Sequence, residues 1–320
     1  MHKAIFKNSE PLFLVGTSKN AGKTTALNFI LDAYRKKKGA RAGLVSIGID
    51  GEKKDAIFGF SKPAIKVVKG ELFATTRGAL KECTCTHEIV AETRFGARSH
   101  KMVIARATSS GNILLIGPDR NSDLEYIIDA LYKAGAKKVF VDGAFDRRTQ
   151  TSLHRPSSLV LSVAPLENET MPVCIKRIKT LVAKYELSVI PAKAGIQRSI
   201  KRLDPCRSLP RDRIRGRDDR RMLHIKGAFT NSLFENMKNK MPRAIVVNDP
   251  SRIFLNDMNF SRLLSSSTKL YVANKIELKL ITLRPSNEYG EKWDAKMFLK
   301  AVRTRVKGVT VVDIMKEIKK

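Results

Sequence analysis

The chain is poor in cysteine and in aromatic residues: its 320 residues include four cysteines, one tryptophan and 7% aromatic residues in all. So few cysteines in a chain of this length do not make the disulfide framework of a small secreted domain. No apolar run approaches the roughly 20 residues that cross a bilayer. The first residues, MHKAIFKNSEPLF, lack the apolar segment of a signal peptide. These absences predict a cytoplasmic protein without a membrane segment.

Acidic residues are scarce beside basic ones, because 31 Asp and Glu stand against 61 Lys and Arg, a formal net charge of +30. Such a charge attracts polyanions, nucleic acid among them. The basic residues are not interleaved with aromatic residues on which bases could stack, however. We therefore do not expect nucleic acid to be the principal ligand, and an acidic protein partner stays open.

The most informative run is FLVGTSKNAGKTTALNFIL, residues 13–31, in which an apolar strand enters a small-residue loop that opens into an amphipathic helix. Backbone N–H groups of such a loop bind phosphates, helped by the positive helix N-terminus. Gly22 allows close approach, Lys23 reaches the β/γ-phosphates, and the Thr24 hydroxyl ligates Mg²⁺. The sequence thus predicts a nucleoside triphosphate site, with Lys23 solvated when no ligand is bound. The predicted nucleotide-binding residues are Gly16, Thr17, Ser18, Lys19, Asn20, Ala21, Gly22, Lys23, Thr24 and Thr25.

The spacing of this loop is a variant, because Thr17 stands at the usual first-glycine position and Gly16 lies one residue earlier. The variant resembles the loop of dethiobiotin synthetase and of the cobyric and cobyrinic acid amide synthetases. These enzymes belong to the dimerising P-loop class. In that class an extra loop lysine reaches the partner's nucleotide. The resemblance gives that role to Lys19, offset by one residue, and implies a homodimer.

Two aspartates at predicted strand ends are candidate partners of the bound metal. Asp142 follows an apolar strand and is predicted to hold Mg²⁺ directly or through water. Asp50 ends the second predicted strand, where members of the dimerising class keep an acidic residue that positions the metal or the attacking water. An Asp-Gly pair also marks an ordinary turn, so a purely structural role stays open for both. The predicted catalytic residues are Lys23, Asp50 and Asp142, and the predicted metal ligands are Thr24, Asp142 and Asp50.

Short apolar strands alternate with amphipathic helices along the chain. This alternation predicts an α/β fold with a doubly wound, mostly parallel sheet, and the loop specifies a P-loop NTPase. Ligands bind at the carboxyl ends of strands in such sheets. Predicted strands cover 12–15, 42–49, 138–141, 159–164, 224–229, 244–248, 269–273, 279–283 and 309–312, and predicted helices 24–38, 123–134, 172–187, 231–239 and 294–306.

Residues 188–221 differ in composition from the rest, with three prolines, no aromatic residue and dense charge. Their run SVIPAKAGIQ resembles the translation of a dispersed bacterial repeat element. We predict a disordered insert, which a surface loop tolerates at modest entropic cost. The NTPase domain then comprises 1–187 and 222–320. A basic arm that binds nucleic acid or a partner is the alternative.

Three further clusters contain residues of chemically active types. Arg147 could stabilise a transferring phosphoryl group or pair with Asp146. Cys83, Cys85 and His87 are spaced too tightly for the usual structural zinc patterns. Two strand-end pairs, Asn248-Asp249 and Asn274-Lys275, could contact a purine without specifying which one.

Several runs together resemble one family: GTSKNAGKTTALNFI, GLVSIGIDGEKKDAIFGFSKP, VFVDGAFDRRT, KGAFTNSLFENM and PSNEYGEKWDAKMFL. They are similar to the P-loop subunit of the reactivating factor for adenosylcobalamin-dependent lysine 5,6-aminomutase. The resemblance implies a chaperone-like ATPase that uses ATP and Mg²⁺. It further implies a MutS-like ATPase partner subunit and a cobalamin-dependent aminomutase from which damaged cofactor is released.

Two other functions fit the same loop. The first is an ATP-dependent carboxylate ligase of the dethiobiotin-synthetase type. Against it, Asp50-Gly51-Glu52 follows the second strand where that family carries Lys-Pro. The second is a nucleotide-dependent switch whose hydrolysis times a partner interaction.

Overall fold

The computed structural model describes residues 5–6, 10–18, 20–47, 64–97, 100–118, 120–143, 157–190, 222–287 and 289–317. Its strands are β1 (Leu12–Gly16), β2 (Ala42–Ser46), β3 (Ile65–Val67), β4 (Leu72–Thr76), β5 (His87–Ala97), β6 (His100–Ala107), β7 (Gly111–Ile113), β8 (Lys138–Asp142), β9 (Ser157–Val163), β10 (Met222–Ile225), β11 (Phe229–Thr230), β12 (Ala244–Val247), β13 (Ile253–Phe254), β14 (Lys269–Val272), β15 (Ile276–Leu283) and β16 (Thr310–Asp313).

The helices among these residues are short. They are α1 (Lys23–Arg35), α2 (Arg77–Leu80), α3 (Asn121–Lys133), α4 (Met171–Tyr185), α5 (Asn231–Met237), α6 (Asp257–Leu264), α7 (Ala295–Arg305) and α8 (Ile314–Glu317). Over the described ranges, none is both long enough and apolar enough to span a bilayer.

The chain divides into two compact units. Unit 1 comprises Met1–Leu153, Ser157–Cys174 and Leu278–Lys320, and unit 2 comprises His154–Pro156 and Ile175–Glu277. The sequence-based division placed 1–187 and 222–320 in one domain. In the structure the chain passes from unit 1 to unit 2 within α4 and returns within β15.

Unit 1 is built on a nine-stranded sheet in the order β16-β15-β9-β1-β8-β2-β4-β6-β5. Strands β1, β8, β9, β2 and β4 pair in parallel, as do β15 and β16, whereas β4–β6 and β5–β6 are antiparallel. Every residue of β1, β2, β8 and β9 is buried, which is typical of parallel sheets covered on both faces. The prediction of an α/β protein with a large, mostly parallel sheet is confirmed.

Helix α1 is fixed to the centre of this sheet by its apolar face. Its buried residues are Ala26, Leu27, Ile30, Leu31 and Tyr34. The Tyr34 ring meets Phe140 of β8 edge to face, with ring centroids 5.3 Å apart. Burying each large apolar side chain contributes about 1.5–3 kcal/mol. The packing holds the start of α1 beside the end of β8, which carries Asp142.

Unit 2 contains a smaller parallel sheet in the order β10-β12-β14. Residues 188–190 extend it, since Val189 bridges Val272 in parallel and Ile190 N donates to the Val272 carbonyl at 3.0 Å. Its core includes Phe229, Phe234, Ile245, Val247 and Phe260. The first three residues of the predicted insert are therefore part of a sheet, and 191–221 lie outside the described residues.

Candidate functional site

The loop between β1 and α1, residues 16–22 and hereafter the glycine-rich loop, is held at both ends by backbone contacts. At its start, Thr17 N donates to the Ser162 carbonyl of β9 at 2.8 Å. At its end, Gly22 is the N-cap residue of α1 with φ 84° and ψ 19°, a left-handed conformation that glycine adopts without steric cost. Asn20 is also left-handed, with φ 52°. Left-handed residues in such turns bring N–H groups together into an anion-binding concavity.

Two hydroxyl groups of this loop are buried without a partner. Over the part of the chain that the structure describes, Thr17 Oγ1 and Ser18 Oγ make no hydrogen bond, and Thr17 is only 2% exposed. A buried hydroxyl without a hydrogen bond costs free energy. A ligand rich in acceptor oxygens, such as a phosphate, would satisfy both groups.

Lys23 begins α1, and its side chain turns toward the end of β8. Its ammonium donates to the Gly143 carbonyl, and Nζ lies 3.5 Å from Asp142 Oδ1. The side chains of Lys23 and Asp142 are 14% and 4% exposed. The expectation that Lys23 is solvated was wrong, because the chain itself supplies a carboxylate within reach.

The backbone around Asp142 fixes this carboxylate at the carboxyl edge of the sheet. The Asp142 carbonyl accepts from Ile47 N at 2.9 Å and from Ser46 Oγ at 3.2 Å. On the other side, Gly143 N donates to the Leu14 carbonyl at 2.9 Å. A Cβ at Gly143 would lie 2.8 Å from that carbonyl, so the close approach requires glycine. The edge of β8 is thereby held between β1 and β2.

The donor set near the loop fits Mg²⁺ only with help from a ligand. In the described ranges no group of three or more His, Cys, Asp or Glu side chains could hold a metal ion. Magnesium in nucleotide sites takes few protein ligands, typically one hydroxyl and one carboxylate, and completes its octahedron with phosphates and waters. Thr24, in the first turn of α1, and Asp142 are residues of those two types.

Several predicted site residues cannot be placed. Lys19, Asp50, Asp146 and Arg147 lie outside the described residues. Their predicted roles rest on the sequence alone.

A residue that sequence reasoning missed contacts the glycine-rich loop. Arg284 directly follows β15, and its Nη1 donates to the Asn20 carbonyl at 2.6 Å. Its Cδ lies 3.9 Å from the place where a Cβ on Gly22 would stand. The available signal was a cation directly after an apolar strand, at the edge of the sheet where ligands bind.

The cysteine cluster and the two strand-end pairs that the sequence analysis named lie away from the glycine-rich loop in the chain, and each has a local environment that accounts for it. Burial raises the pKa of the Cys83 and Cys85 thiols, so both stay protonated at neutral pH. In unit 2, Asp249 Oδ1 accepts from Ser251 N at 2.9 Å and caps the 3₁₀ helix Pro250–Arg252. Asn248 Oδ1 accepts from Asn274 Nδ2 at 3.4 Å. Asn248 Nδ2 in turn donates to Asp249 Oδ2 at 3.3 Å, so these three side chains are linked by hydrogen bonds.

Comparison of the chain with protein families, with curated proteins and with solved structures found no match. Function must therefore be inferred from the residues of the site.

Proposed function

We propose that the chain is a P-loop NTPase that binds ATP with Mg²⁺ at the glycine-rich loop and Thr24, and hydrolyses it. One observation carries the proposal: β1 enters a loop with left-handed Gly22, and the next residue, Lys23, meets the strand-end Asp142. Strand, phosphate loop, helix and strand-end carboxylate are the parts that P-loop NTPases combine. The Thr17 and Ser18 hydroxyls, which have no hydrogen-bond partner among the described residues, add support, since phosphate oxygens would accept from them.

Each residue has a distinct task in this proposal. Lys23 leaves Asp142 and binds the β/γ-phosphates, where its charge stabilises the transferring group. Thr24 and Asp142 hold Mg²⁺, which neutralises phosphate charge when bound. The family resemblance assigns Asp50 to the attacking water. Residues 16–22 supply backbone donors.

The cellular role that we propose is that of a cytoplasmic reactivating-factor subunit. It rests on the resemblance to the lysine 5,6-aminomutase reactivase. In that role, ATP binding and hydrolysis, together with a MutS-like partner subunit, release damaged cobalamin from an adenosylcobalamin-dependent aminomutase. The chain's high positive charge would favour an acidic partner.

The binding proposal is tested with Lys23→Met and, as a matched control, Lys36→Met, which removes an exposed lysine just beyond the end of α1. Hydrogen bonds to charged groups contribute about 1.5–3 kcal/mol, so Lys23→Met should weaken Mg-ATP binding about 10- to 100-fold. Lys36→Met should bind like the wild type. Calorimetric titration measures all three.

Lys23→Met also leaves Asp142 buried without this cation, which lowers stability. Melting curves without nucleotide therefore accompany the titrations, and a Lys23→Met/Asp142→Asn double variant removes the charge imbalance. Equal Mg-ATP affinity in the wild type and in a folded Lys23 variant would rule out the P-loop assignment.

The cellular role is tested by phosphate release from the purified protein, alone and with a MutS-like partner and cobalamin-inactivated aminomutase. Phosphate release coupled to cobalamin release, and lost in Lys23→Met, supports the reactivase. The Gly16-Thr17 spacing is shared with ATP-dependent carboxylate ligases, so hydrolysis that ignores the aminomutase and responds to a carboxylate substrate would favour that class instead.

A further inference from the structure

Arg284 joins the end of β15 to the glycine-rich loop across a large separation in the chain. Its guanidinium donates to a backbone carbonyl of the loop, that of Asn20, at 2.6 Å. The stem of the same side chain runs along the loop, because its Cδ and Cβ lie 3.9 and 4.0 Å from the Cβ position of Gly22. Charge and stem thus both act on the stretch between the two left-handed residues.

The planar peptide bond between Asn20 and Ala21 fixes the direction of the Ala21 N–H relative to the Asn20 carbonyl. Residues 20 and 21 are joined by a trans peptide, in which the C=O of one residue and the N–H of the next point in opposite directions. With the Asn20 carbonyl turned toward Arg284, the N–H of Ala21 must point away from Arg284. In a phosphate-binding loop, the N–H groups that bind the anion point into the loop and converge on it.

We propose that Arg284 is a positioning residue that orients the N–H of Ala21 toward a phosphate of the bound nucleoside triphosphate. The inference rests on the proposed function and adds to it a residue that the loop pattern does not contain. Arg284 acts through the Asn20 carbonyl and contacts no ligand.

Because Asn20 is left-handed, the hydrogen bond from Arg284 to its carbonyl is needed to select one orientation of the following peptide. A left-handed backbone is uncommon for residues other than glycine, although asparagine tolerates it better than most, so the peptide after Asn20 has competing orientations. A hydrogen bond from a charged donor is about twice as strong as one between neutral groups. It selects one orientation before the ligand arrives, and a ligand then loses less free energy in ordering the loop.

The test compares Arg284→Met and Arg284→Lys with Arg305→Met, which removes an exposed arginine from the last position of α7. The methionine variants lose the same charge, and only one of them loses the loop contact. Mg-ATP dissociation constants are measured at low and high salt, together with melting temperatures without nucleotide. In parallel, the amide signal of ¹⁵N-labelled Ala21 is followed during titration with ATP.

Arg284→Met should raise the dissociation constant about tenfold, as expected for the loss of a charge-assisted hydrogen bond. Arg284→Lys should restore part of that loss, and Arg305→Met should stay within about twofold of wild type. The deficit should persist at high salt, because exposed long-range charge effects are screened there and local geometry is not. The Ala21 amide signal should move strongly with ATP in the wild type and weakly in Arg284→Met.

Three results would overturn the inference: equal affinities in Arg284→Met and Arg305→Met, a deficit that vanishes at high salt, or a wild-type Ala21 amide that ignores ATP. If Arg284→Met is unstable, the Ala21 amide signal of Arg284→Lys is the test. A weaker response to ATP than in the wild type supports the inference, and an equal response overturns it. Wild-type protein that binds no ATP would refute the proposed function itself. Wild-type binding with no effect of Arg284 would refute only this inference.

Discussion

At the scale of single residues, the structure shows where backbone proximity decides which side chain is allowed. The carboxyl edge of the central sheet is crowded by chain segments that cross close to strand ends. Gly117 lies against the end of β2, and a Cβ there would overlap the Ser46 carbonyl. That overlap involves backbone atoms, which cannot rotate away as a flexible side chain can. By contrast, a Cβ at Gly78 in α2 meets nothing within 4 Å.

Gly117→Ala should therefore lower the free energy of unfolding by about 1–3 kcal/mol or more, the cost of overpacking a closely packed interior. Gly78→Ala is the matched control, and should be neutral or stabilising by about 0.5–1 kcal/mol, because alanine is the better helix former. Chemical denaturation of both variants measures the difference. Equal stability of the two would show that the chain near Gly117 moves aside without cost.

Individual site residues differ in whether the sequence alone can predict them. Lys23 and Thr24 could be proposed as site residues because a phosphate loop is contiguous, and Asp142 because it ends an apolar strand; their roles toward a nucleotide stay predictions. Arg284 was missed because its partner Asn20 lies in a distant part of the chain, and only the sheet topology brings the two together. Asp50 stays a prediction, since it lies outside the described residues.

At the scale of elements, the end of α1 is tied to the segment before β4 by one buried ion pair. Arg35 Nε donates to Glu71 Oε1 at 2.9 Å and Nη2 to Oε2 at 2.8 Å. Glu71 Oε2 also accepts from Val68 N at 2.9 Å. Burial alone would lower the pKa of Arg35, but the hydrogen bonds and charges of Glu71 and, to a smaller extent, of Asp32 outweigh it and the pKa is raised.

We expect Glu71→Gln to lower the free energy of unfolding by about 1–3 kcal/mol, because it removes the buried carboxylate partner of Arg35 and leaves only the exposed carboxylate of Asp32, 2.7 Å from Nη1. A double-mutant cycle with Arg35→Met should give a coupling energy above about 1 kcal/mol. The Arg106–Glu88 pair is the control: its atoms are 2.7 Å apart, but the side chains are 37% and 52% exposed. Such exposed pairs contribute about 0–1 kcal/mol. Equal coupling in the two cycles would contradict the prediction.

Elements with one buried face were predicted well, and those without were not. Helices were predicted over 24–38 and 294–306, and the structure has α1 and α7 there, so both predictions are confirmed. Strand β5 was not predicted. It lies at the edge of the sheet, and Glu88, Ile89, Val90, Ala91 and Glu92 are all exposed. Without a buried face, nothing selects the alternating pattern by which strands are recognised.

At the scale of the whole molecule, the chain leaves unit 1 and returns to it, so that unit 2 is inserted between two parts of one sheet-forming unit. The change in composition at residue 188 predicted that an insert begins there. In the structure, residues 188–190 pair with β14 and belong to unit 2. A contact of three residues carries no sequence pattern of its own. The division into two units left no signal either, since both are built of alternating strands and helices.

Replacing residues 192–220 by a Gly-Ser linker of about 12 residues should leave the melting temperature and Mg-ATP affinity unchanged, because the sequence predicts a disordered insert there and flexible loops close at similar entropic cost over this range of lengths. Replacing 188–220 in the same way should destabilise the protein by about 1–3 kcal/mol. In this second variant, glycine and serine would have to make the two backbone hydrogen bonds with Val272, and these residues are poorer strand formers than Val189 and Ile190 and lose more conformational entropy when ordered. Thermal and chemical unfolding of the two variants decide whether the dispensable stretch begins at residue 192 or already at residue 188.

The contact between Lys23 and Asp142 has a consequence for which ligands the site accepts. A triphosphate that draws Lys23 away strands a buried negative charge, and a metal ion at Asp142 meets a cation already there. Either ligand alone therefore separates the charges of Lys23 and Asp142, whereas metal and triphosphate together bring an opposite charge to each of them. Under the proposed function, Mg²⁺ and ATP would therefore raise each other's affinity, and linkage requires the factor to be the same for both.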